Sequence, residues 1–241
     1  MSTKTVTVRS PMLLALYHPN LVQNPTEWLV SEKLDGVRAL WDGSTLLSRN
    51  GIVFVPPQAF LDALPRGLPW VLDGELYISH STPLEQLVSV LRGNTWLGVR
   101  FLVFDAQIDG MPYSERLQAI NKTPYTGGVI PQVPVRSHED IATRVRTING
   151  EGIVVRHRDG IYEFGKRSRH VLKHKRVFVA DGVVVSHDHS QATIGVSVLG
   201  GIANIVSPRQ PPPIIGSQVR VRYYGLTAKN AKPRGASLIL S

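Results

Sequence analysis

The stretch after Arg176 constrains the fold most, because it consists of five short apolar runs rich in valine and isoleucine. The runs cover residues 177–188, 192–200, 201–207, 217–225 and 236–240 and are separated by Gly, Asp and Pro. None has the 3.6-residue period of an amphipathic helix, and branched residues bounded by turn residues are typical of strands. Five such strands predict a small all-β barrel of the OB-fold type. The proline-rich segment 208–213 is expected to be an extended connector within that barrel.

Residues 1–176 have a different pattern, in which strand-like segments are interspersed with helical ones. Residues 28–49 predict three strands in a meander, with a hairpin turn at Asp42-Gly43. Further strands are predicted at 71–78, 100–106 and 151–157. The sequence therefore predicts an α+β domain with antiparallel sheets over 1–176, followed by the all-β domain over 177–241.

Helices are indicated by their end signals. Residues 81–93 form one candidate, with Thr82 as the N-cap, Pro83 in the first turn and Gly93 at the end. A second candidate covers 137–148, with Ser137 as its cap. Weaker helical patterns lie at 56–64 and 113–120.

Charge and composition limit the function. The chain has 27 Lys and Arg against 18 Asp and Glu, which gives a net charge of +9 and a pI of about 10.0. This favours a polyanionic partner without establishing one. The absence of cysteine excludes disulfides, thiolate metal sites and cysteine nucleophiles. No signal peptide or membrane span is evident, so a cytoplasmic protein is expected.

Ionisable residues recur two apart in several strand-like segments, which places them on one face of each strand. The pairs are Lys33 with Asp35, Asp73 with Glu75, and Lys173 with Lys175, and Glu151 begins another apolar segment. Any single pair is explained better by a solvated sheet face, since antiparallel sheets commonly expose one polar face to water. Together, the pairs predict a polar cleft of lysines and carboxylates.

Such a cleft suits one kind of chemistry. A lysine held among other cations has a lowered pKa and can act as a neutral amine nucleophile. Its electrophile would be anionic and would need charge neutralisation, which points to a phosphoryl group. Glu75 and Glu151 are suited to hold Mg²⁺, which takes oxygen ligands and usually binds together with phosphates. The residues are thus consistent with nucleotidyl transfer.

Six segments resemble, in order and spacing, the motif series of ATP-dependent DNA ligases. They are "EKLDG" with "VR" behind it, "SRNG" at 48–51, "LDGELYI" at 72–78, "FLVFD" at 101–105, "EGIVVR" at 151–156 and "LKHK" at 172–175. The sequence is most similar to the minimal two-domain ligases of bacteria and phages. The resemblance implies a nucleotidyltransferase domain, related to the ATP-grasp-like ligase fold, followed by an OB-fold domain. It also implies use of ATP and Mg²⁺, or Mn²⁺ in its place, and action on nicked double-stranded DNA. A monomer is expected, because one active site on one nick needs no partner.

The resemblance also implies roles for individual residues. Lys33 would attack the α-phosphate of ATP to give a lysyl-AMP phosphoramide. Glu75 would bind the ribose hydroxyl or metal, and Glu151 would assist with metal. Ser31 and Glu32 would contact the adenine edge, and Phe104 would stack on the adenine. Asp35 and Arg38 would complete the lysine motif, with Arg38 near the ribose or the nick ends. Arg49 and Arg167 would make phosphate contacts, and Lys173 and Lys175 would contact the α-phosphate.

Some of these residues have ordinary structural explanations. Phe104 is equally well explained as a core aromatic, and Arg49 as a turn arginine. The last basic motif of the ligase family is thin here, because the chain ends in aliphatic residues. Lys229, Lys232 and Arg234 are possible replacements that would contact DNA or phosphate.

Three alternative functions remain open from the sequence. An RNA ligase and a GTP-dependent capping-type nucleotidyltransferase would share the lysine chemistry and a similar catalytic fold. A catalytically impaired module that binds nicked DNA would fit the thin C-terminal motif. The sequence favours a DNA ligase acting in DNA repair or replication.

Overall fold

The computed structural model describes residues 6–188, 190–207, 211–227 and 232–239. The chain divides into two compact units, residues 1–174 and 175–241. The predicted domain boundary, between residues 176 and 177, lies close to this division.

The first unit combines short strands with four α-helices in its described part. The strands are β1 (Leu13–Leu16), β2 (Trp28–Lys33), β3 (Val37–Trp41), β4 (Leu46–Ser48), β5 (Val71–Tyr77), β6 (Arg100–Gln107), β7 (Val133–Pro134), β8 (Gly152–His157) and β9 (Arg167–Lys175), the last of which ends at the first residue of the second unit. The helices are α1 (Gln58–Asp62), α2 (Leu84–Arg92), α3 (Tyr113–Asn121) and α4 (His138–Thr147), with 3₁₀ turns at Pro19–Leu21 and Pro25–Glu27.

These strands form two sheets. One has the order β1-β9-β8-β2-β7 and the other has the order β4-β3-β5-β6. The pairs of β2 with β7 and β8, and all pairs of the second sheet, are antiparallel as expected. β1 pairs with β9 in parallel, which departs from the prediction. The long stretch of chain between these two strands makes a parallel pairing possible.

The predicted meander over 28–49 is wrong in one respect. All three strands exist, but β2 lies in the first sheet while β3 and β4 lie in the second. The chain changes sheet through residues 34–36. At Gly36, a Cβ atom would lie 2.4 Å from the carbonyl oxygen of Leu76 and 2.6 Å from Cγ of Glu75, so only glycine fits there. The β3–β4 hairpin turns where predicted, with Gly43 at φ +96°.

The helices pack on these sheets through their apolar faces. Leu87 and Leu91 of α2 belong to the core of the second sheet, and Ile141 and Val145 of α4 belong to the core of the first. Ser137 caps α4 as predicted, since its Oγ accepts from the Asp140 amide at 3.1 Å.

The predicted cap of α2 is wrong. Pro83 occupies the N-cap of this helix and makes no side-chain cap bond. The Thr82 hydroxyl instead forms a 2.8 Å hydrogen bond with the hydroxyl of Ser79. The proline carries no N–H group, so it suits the start of the helix without a side-chain cap.

The second unit contains the five strands that the apolar runs predict. They are β10 (Phe178–Asp188), β11 (Thr193–Val198), β12 (Gly201–Val206), β13 (Gln218–Tyr223) and β14 (Ser237–Leu238), in the sheet order β12-β11-β10-β13-β14. The two edge strands, β12 and β14, contact each other, so the sheet curls towards closure. The prediction of a small OB-like barrel for this part of the chain is thereby confirmed.

Part of the proline-rich connector, residues 208–210, lies outside the described residues. No helix within the described ranges combines the length and the apolar character that crossing a membrane requires.

Candidate active site

Lys33 is the last residue of β2, where the chain leaves the first sheet. Its ammonium group donates a hydrogen bond to the carboxylate of Glu151, which directly precedes β8. β2 and β8 pair with Lys33 opposite Gly152, so the ladder places the two side chains together. The side chain of Lys33 is 22% exposed and that of Glu151 is 7% exposed. A largely buried ammonium–carboxylate pair therefore occupies the position predicted for the nucleophile.

Arg38, at the start of β3, is held by a bidentate ion pair. Its Nε and Nη2 donate to the Asp73 carboxylate at 2.8 and 2.5 Å, and its Nη1 donates to the carbonyl of Met12 at 2.7 Å. The hydroxyl of Tyr162 donates to the same carboxylate at 2.5 Å. Burial alone would lower the pKa of Arg38, but Asp73 outweighs burial and the pKa is raised. Arg38 is thus a fixed cation beside Lys33.

Glu75 lies on β5 among these charges. Burial raises its pKa to about 7, against the favourable fields of Lys33 and Arg38, and the neighbouring carboxylates Asp73 and Glu151 raise it further. Carboxylates held this close repel each other unless a cation or proton joins them. A pair such as Glu75 and Glu151 suits Mg²⁺, which usually binds few protein carboxylates and completes its shell with water and phosphate oxygens. Within the described residues, no group of three or more His, Asp or Glu side chains is arranged to hold a metal.

A cavity opens beside Lys33. Its lining consists of Leu14, Ser31, Glu32, Lys33, Leu34, Arg38, Glu75, Phe104, Ile130, Val154 and Arg156. This set combines an aromatic ring, branched aliphatic side chains, cations and carboxylates. A nucleotide needs the same combination, with apolar surface for the base and charged groups for the ribose and phosphates.

Phe104 reaches this cavity from β6 and is only partly buried. The guanidinium carbons of Arg156 and Arg38 lie 5.0 and 5.5 Å from its ring centroid. The strand is anchored from behind, because Tyr113 donates to the Phe104 carbonyl at 3.1 Å and Arg116 pairs with the adjacent Asp105 at 2.7 Å. The ring thus lines the cavity from a strand that is anchored from behind, and its stacking on adenine stays a prediction.

Two of the predicted residues do not lie as expected. β2 ends at Lys33, so Asp35 lies in the bend between the sheets and shares no strand face with the lysine. Glu32 borders the cavity, but its carboxylate bonds Nε2 of His80 at 2.5 Å. Alternation along β2 places the side chain of Glu32 on the face opposite to Ser31 and Lys33. The shared-face prediction is wrong because β2 ends at Lys33, and no local pattern in residues 33–36 predicts that end.

Two residues around the site were missed by the sequence reasoning. Arg156 is 4% exposed and donates from Nη1 to the Ser31 hydroxyl at 3.1 Å. Tyr162 buttresses the Arg38–Asp73 pair. A signal existed for Arg156, since an arginine that ends the apolar run "GIVV" is expensive to bury without a purpose. No local pattern points to Tyr162, because its partner Asp73 is far away in sequence.

The predicted phosphate-binding residues lie at several places. Arg49 is exposed in the turn after β4, and Arg167 begins β9 with Nη1 bonded to the Leu14 carbonyl at 2.5 Å. Lys173 lies on β9 opposite Leu16. Among the described residues, the cavity lining includes none of these three.

The remaining predicted residues belong to the second unit. Lys175 lies with Nζ 5.5 Å from the Tyr224 ring centroid. Arg234 packs its guanidinium against Gly225, and the Lys232 amide bonds the Thr227 hydroxyl at 3.0 Å. Lys229 lies outside the described residues.

Two sheets with Lys33 and Glu75 at a cavity, followed by a five-stranded curled sheet, agree with the nucleotidyltransferase class that the sequence predicts. Residues 11–175 match the family model of the ATP-dependent DNA ligase domain. The chain is 30% identical over 250 residues to a DNA ligase of Haemophilus influenzae, an alignment that covers 94% of this chain and 90% of that protein. The chain therefore belongs to the ATP-dependent DNA ligase family.

Solved structures agree with this assignment. A structure from a structure–function analysis of Lig E DNA ligases, described as binding DNA with a minimal scaffold, has a TM-score of 0.82 at 28% identity and covers 96% of this chain and 99% of that one. The adenylate of the Chlorella virus DNA ligase has a TM-score of 0.60 at 20% identity, covering 97% of this chain and 99% of that one. The bacteriophage T7 ligase in complex with ATP has a TM-score of 0.56 at 14% identity, covering 96% and 98%. The last two similarities show the shared fold.

Proposed function

We propose that this ligase seals nicks with 5′-phosphate and 3′-hydroxyl ends in duplex DNA, through an AMP group carried covalently on Lys33. The observation that carries this proposal is the hydrogen bond from Lys33 to Glu151, because Lys33 lines the same cavity as Phe104 and Glu75. Lys33 lies on the cavity side of β2, and it has a carboxylate in hydrogen-bond contact that can take its proton.

In the first step, the Lys33 amine attacks the α-phosphorus of ATP. The nitrogen–phosphorus bond forms as the bond to the pyrophosphate oxygen breaks, and pyrophosphate leaves. The amine must first be neutral, and Glu151 is placed to accept the ammonium proton. Phe104 would stack on the adenine, Ser31 and Arg156 would face its edge, and Arg38 would stabilise the charge on the phosphate or ribose side.

Glu75 would hold Mg²⁺, or Mn²⁺ in its place, and Glu151 would assist with the metal once it has passed on the Lys33 proton. The bound ion would neutralise charge on the transferring phosphate. Glu75 is suited to this because burial and the neighbouring carboxylates Asp73 and Glu151 raise its pKa to about 7, so a nearby cation would stabilise its charged form.

In the second step, an oxygen of the nick 5′-phosphate attacks the phosphorus of lysyl-AMP, and the amine of Lys33 leaves. In the third step, the 3′-hydroxyl attacks the 5′-phosphorus, the phosphodiester forms and AMP leaves. Arg49 and Arg167 would contact the nick phosphates, while Lys173 and Lys175 would contact the α-phosphate. Lys229, Lys232 and Arg234 would contribute further phosphate contacts from the second unit.

One experiment tests the nucleophile and the nucleotide. The protein is incubated with α-labelled ATP or GTP and Mg²⁺, and label bound to protein is measured on a denaturing gel. We expect label from ATP, its loss in Lys33→Ala, and full label in Lys122→Ala, which removes an exposed lysine at the end of α3. Label from GTP alone would point to a capping-type enzyme. No label from either nucleotide, despite binding of nicked DNA, would identify a catalytically impaired module.

The substrate is tested with the labelled enzyme. A nicked DNA duplex should be sealed and a nicked RNA duplex should not. The opposite preference would make this member of the family an RNA ligase.

The cellular setting is part of the same proposal. We infer that the enzyme acts as a monomer in DNA repair or replication, because one active site and one nick need no second copy. A cytoplasmic location stays a prediction from the sequence.

A further inference from the structure

The residue before the proposed nucleophile makes a contact that the three reaction steps do not use. The Glu32 carboxylate bonds Nε2 of His80 at 2.5 Å, on the face of β2 opposite to Lys33. The Glu32 side chain is 24% exposed and that of His80 is 51% exposed. We call this contact the Glu32–His80 clasp.

The clasp lies against the turn that carries Glu151. A Cβ atom placed on Gly150 would lie 2.2 Å from Oε1 of Glu32 and 3.2 Å from its Cδ. Only a residue without a side chain therefore allows the carboxylate to rest on this turn. The next residue along is Glu151, whose carboxylate accepts from Lys33. Glu32 thus adjoins both members of the Lys33–Glu151 pair, one through the chain and one through Gly150.

The other half of the clasp is tied to the strand of the second glutamate. The His80 ring packs edge-on against Tyr77 with centroids 5.8 Å apart. Tyr77 is the last residue of β5, the strand that carries Glu75. The clasp therefore connects the β5 end, the β2 end and the turn before β8, which are the three segments that supply Glu75, Lys33 and Glu151.

We propose that Glu32 and His80 are positioning residues for the first reaction step, which hold the Gly150 turn so that Glu151 faces Lys33. The inference rests on the proposed role of Lys33 as nucleophile. His80 is not part of the cavity lining, and the Glu32 carboxylate, although Glu32 borders the cavity, is engaged by His80. A displaced Glu151 would leave Lys33 protonated or misdirected, and small displacements in such sites are costly to the rate.

The same two strands provide a matched control at their other end. There, Nε2 of His157 lies 3.3 Å from Oε2 of Glu27, beside the pairing of Trp28 with His157. This pair also joins a histidine and a glutamate, with 23% and 51% of the side chains exposed. It lies at the end of the β2–β8 ladder away from Lys33, so it tests the effect of removing an ordinary surface contact.

The test compares His80→Ala, His80→Gln, Glu32→Ala, Glu32→Gln and His157→Ala. Single-turnover labelling over a range of ATP concentrations separates the maximal rate of lysyl-AMP formation from the apparent affinity for ATP. Sealing of a duplex that already carries AMP on its 5′-phosphate is measured in parallel, because it needs no transfer from Lys33. Thermal unfolding of each variant shows whether it is folded.

We expect His80→Ala and Glu32→Ala to lower the maximal labelling rate by about 10-fold to 100-fold, with ATP affinity nearly unchanged. Glu32→Gln should recover part of the rate, because the amide oxygen can still accept from the His80 N–H group. His157→Ala should label normally, and sealing of the adenylylated duplex should fall much less than labelling. Three results would contradict the proposed positioning role of Glu32 and His80. They are equal losses in labelling and in sealing, a loss of ATP affinity alone, and no difference from His157→Ala.

Peptide mapping of the labelled wild-type protein separates this inference from the proposed function. Label on a residue other than Lys33, or no label, would overturn the nucleophile and the clasp with it. Label on Lys33 at a rate insensitive to both alanine substitutions would overturn the clasp alone.

Discussion

At the scale of single residues, the site is governed by how much charge it concentrates in a partly buried space. Lys33 and Arg38 each have a carboxylate partner, Glu151 and Asp73. Glu75 is the remaining carboxylate of the group, and burial raises its pKa to about 7. The folded protein therefore keeps a proton on Glu75 to a higher pH than the unfolded chain does.

This protonation makes stability depend on pH. Glu75 titrates near 4.5 in the unfolded chain and near 7 in the folded one, so between these values the folded state holds a proton that the unfolded state releases. Raising the pH through this window should therefore lower the free energy of unfolding, by up to about 3 kcal/mol. The decline should end about one pH unit above the folded pKa. Added Mg²⁺ should restore stability mainly on the alkaline side of the window.

The measurement is thermal or urea unfolding with a chelator present, at pH values from about 5 to 8, for wild type and Glu75→Gln. The variant should lack this decline in stability. A decline of the same size in both proteins would assign it to other groups.

The Tyr162 hydroxyl supports the second charge pair and gives another prediction. Tyr162→Phe leaves the buried Asp73 carboxylate with one donor fewer, and we expect it to cost about 1–3 kcal/mol of stability. Tyr17→Phe is the matched control, because that hydroxyl bonds His138 at an exposed position. Urea unfolding measures both. Equal small effects would mean that Arg38 alone satisfies Asp73.

At the scale of elements, local patterns predicted what they encode directly. The strands around Lys33, the helices α2 and α4 and the Ser137 cap follow from periodicity and from end signals within a few residues. The change of sheet between Lys33 and Val37 was not predictable in this way. A meander and a change of sheet have the same alternation on either side, and only the packing of residues far apart in sequence distinguishes them.

The roles of Arg156 and Tyr162 could not be predicted for the same reason. Their roles depend on Ser31 and Asp73, which are distant in sequence and near only in the fold. The motif residues that the family resemblance supplied, such as Phe104 and Glu151, could be named beforehand. The geometry that makes each of them useful could not.

Gly36 makes this change of sheet testable. A Cβ atom there would meet the Leu76 carbonyl at 2.4 Å, and a backbone oxygen within a sheet cannot move aside cheaply. We expect Gly36→Ala to cost about 1–3 kcal/mol, as overpacking does in a core, and to reduce labelling of Lys33. Gly93→Ala is the control, since its Cβ atom would meet only ordinary contacts, the nearest at 3.4 Å. Normal stability and labelling in Gly36→Ala would mean that the bend is free to shift.

At the scale of the whole molecule, the two units could be distinguished from the sequence because their predicted secondary structures differ. Mixed helical and strand patterns give way near residue 175 to valine-rich runs alone. A curled sheet of five strands follows from that change. What the sequence could not supply is a residue that replaces the thin C-terminal motif, because a lysine or arginine in a surface loop carries no pattern that reveals its contacts.

The net charge of +9 bears on binding of DNA as a whole. Each phosphate neutralised by a lysine or arginine releases bound cations, so the logarithm of the binding constant for a nicked duplex should fall linearly with the logarithm of salt concentration.

Arg49, exposed in the turn after β4, is a proposed contributor to this binding. Arg49→Ala should make this slope shallower by about one unit and weaken binding, while labelling of Lys33 by ATP without DNA stays normal. Arg146→Ala is the matched control, because that exposed arginine is paired with Glu139 at 2.8 Å and should leave the slope unchanged. Fluorescence anisotropy with a labelled nicked duplex, from about 50 to 200 mM salt, measures the slopes, and an Arg49→Ala slope equal to that of wild type would remove Arg49 from the DNA interface.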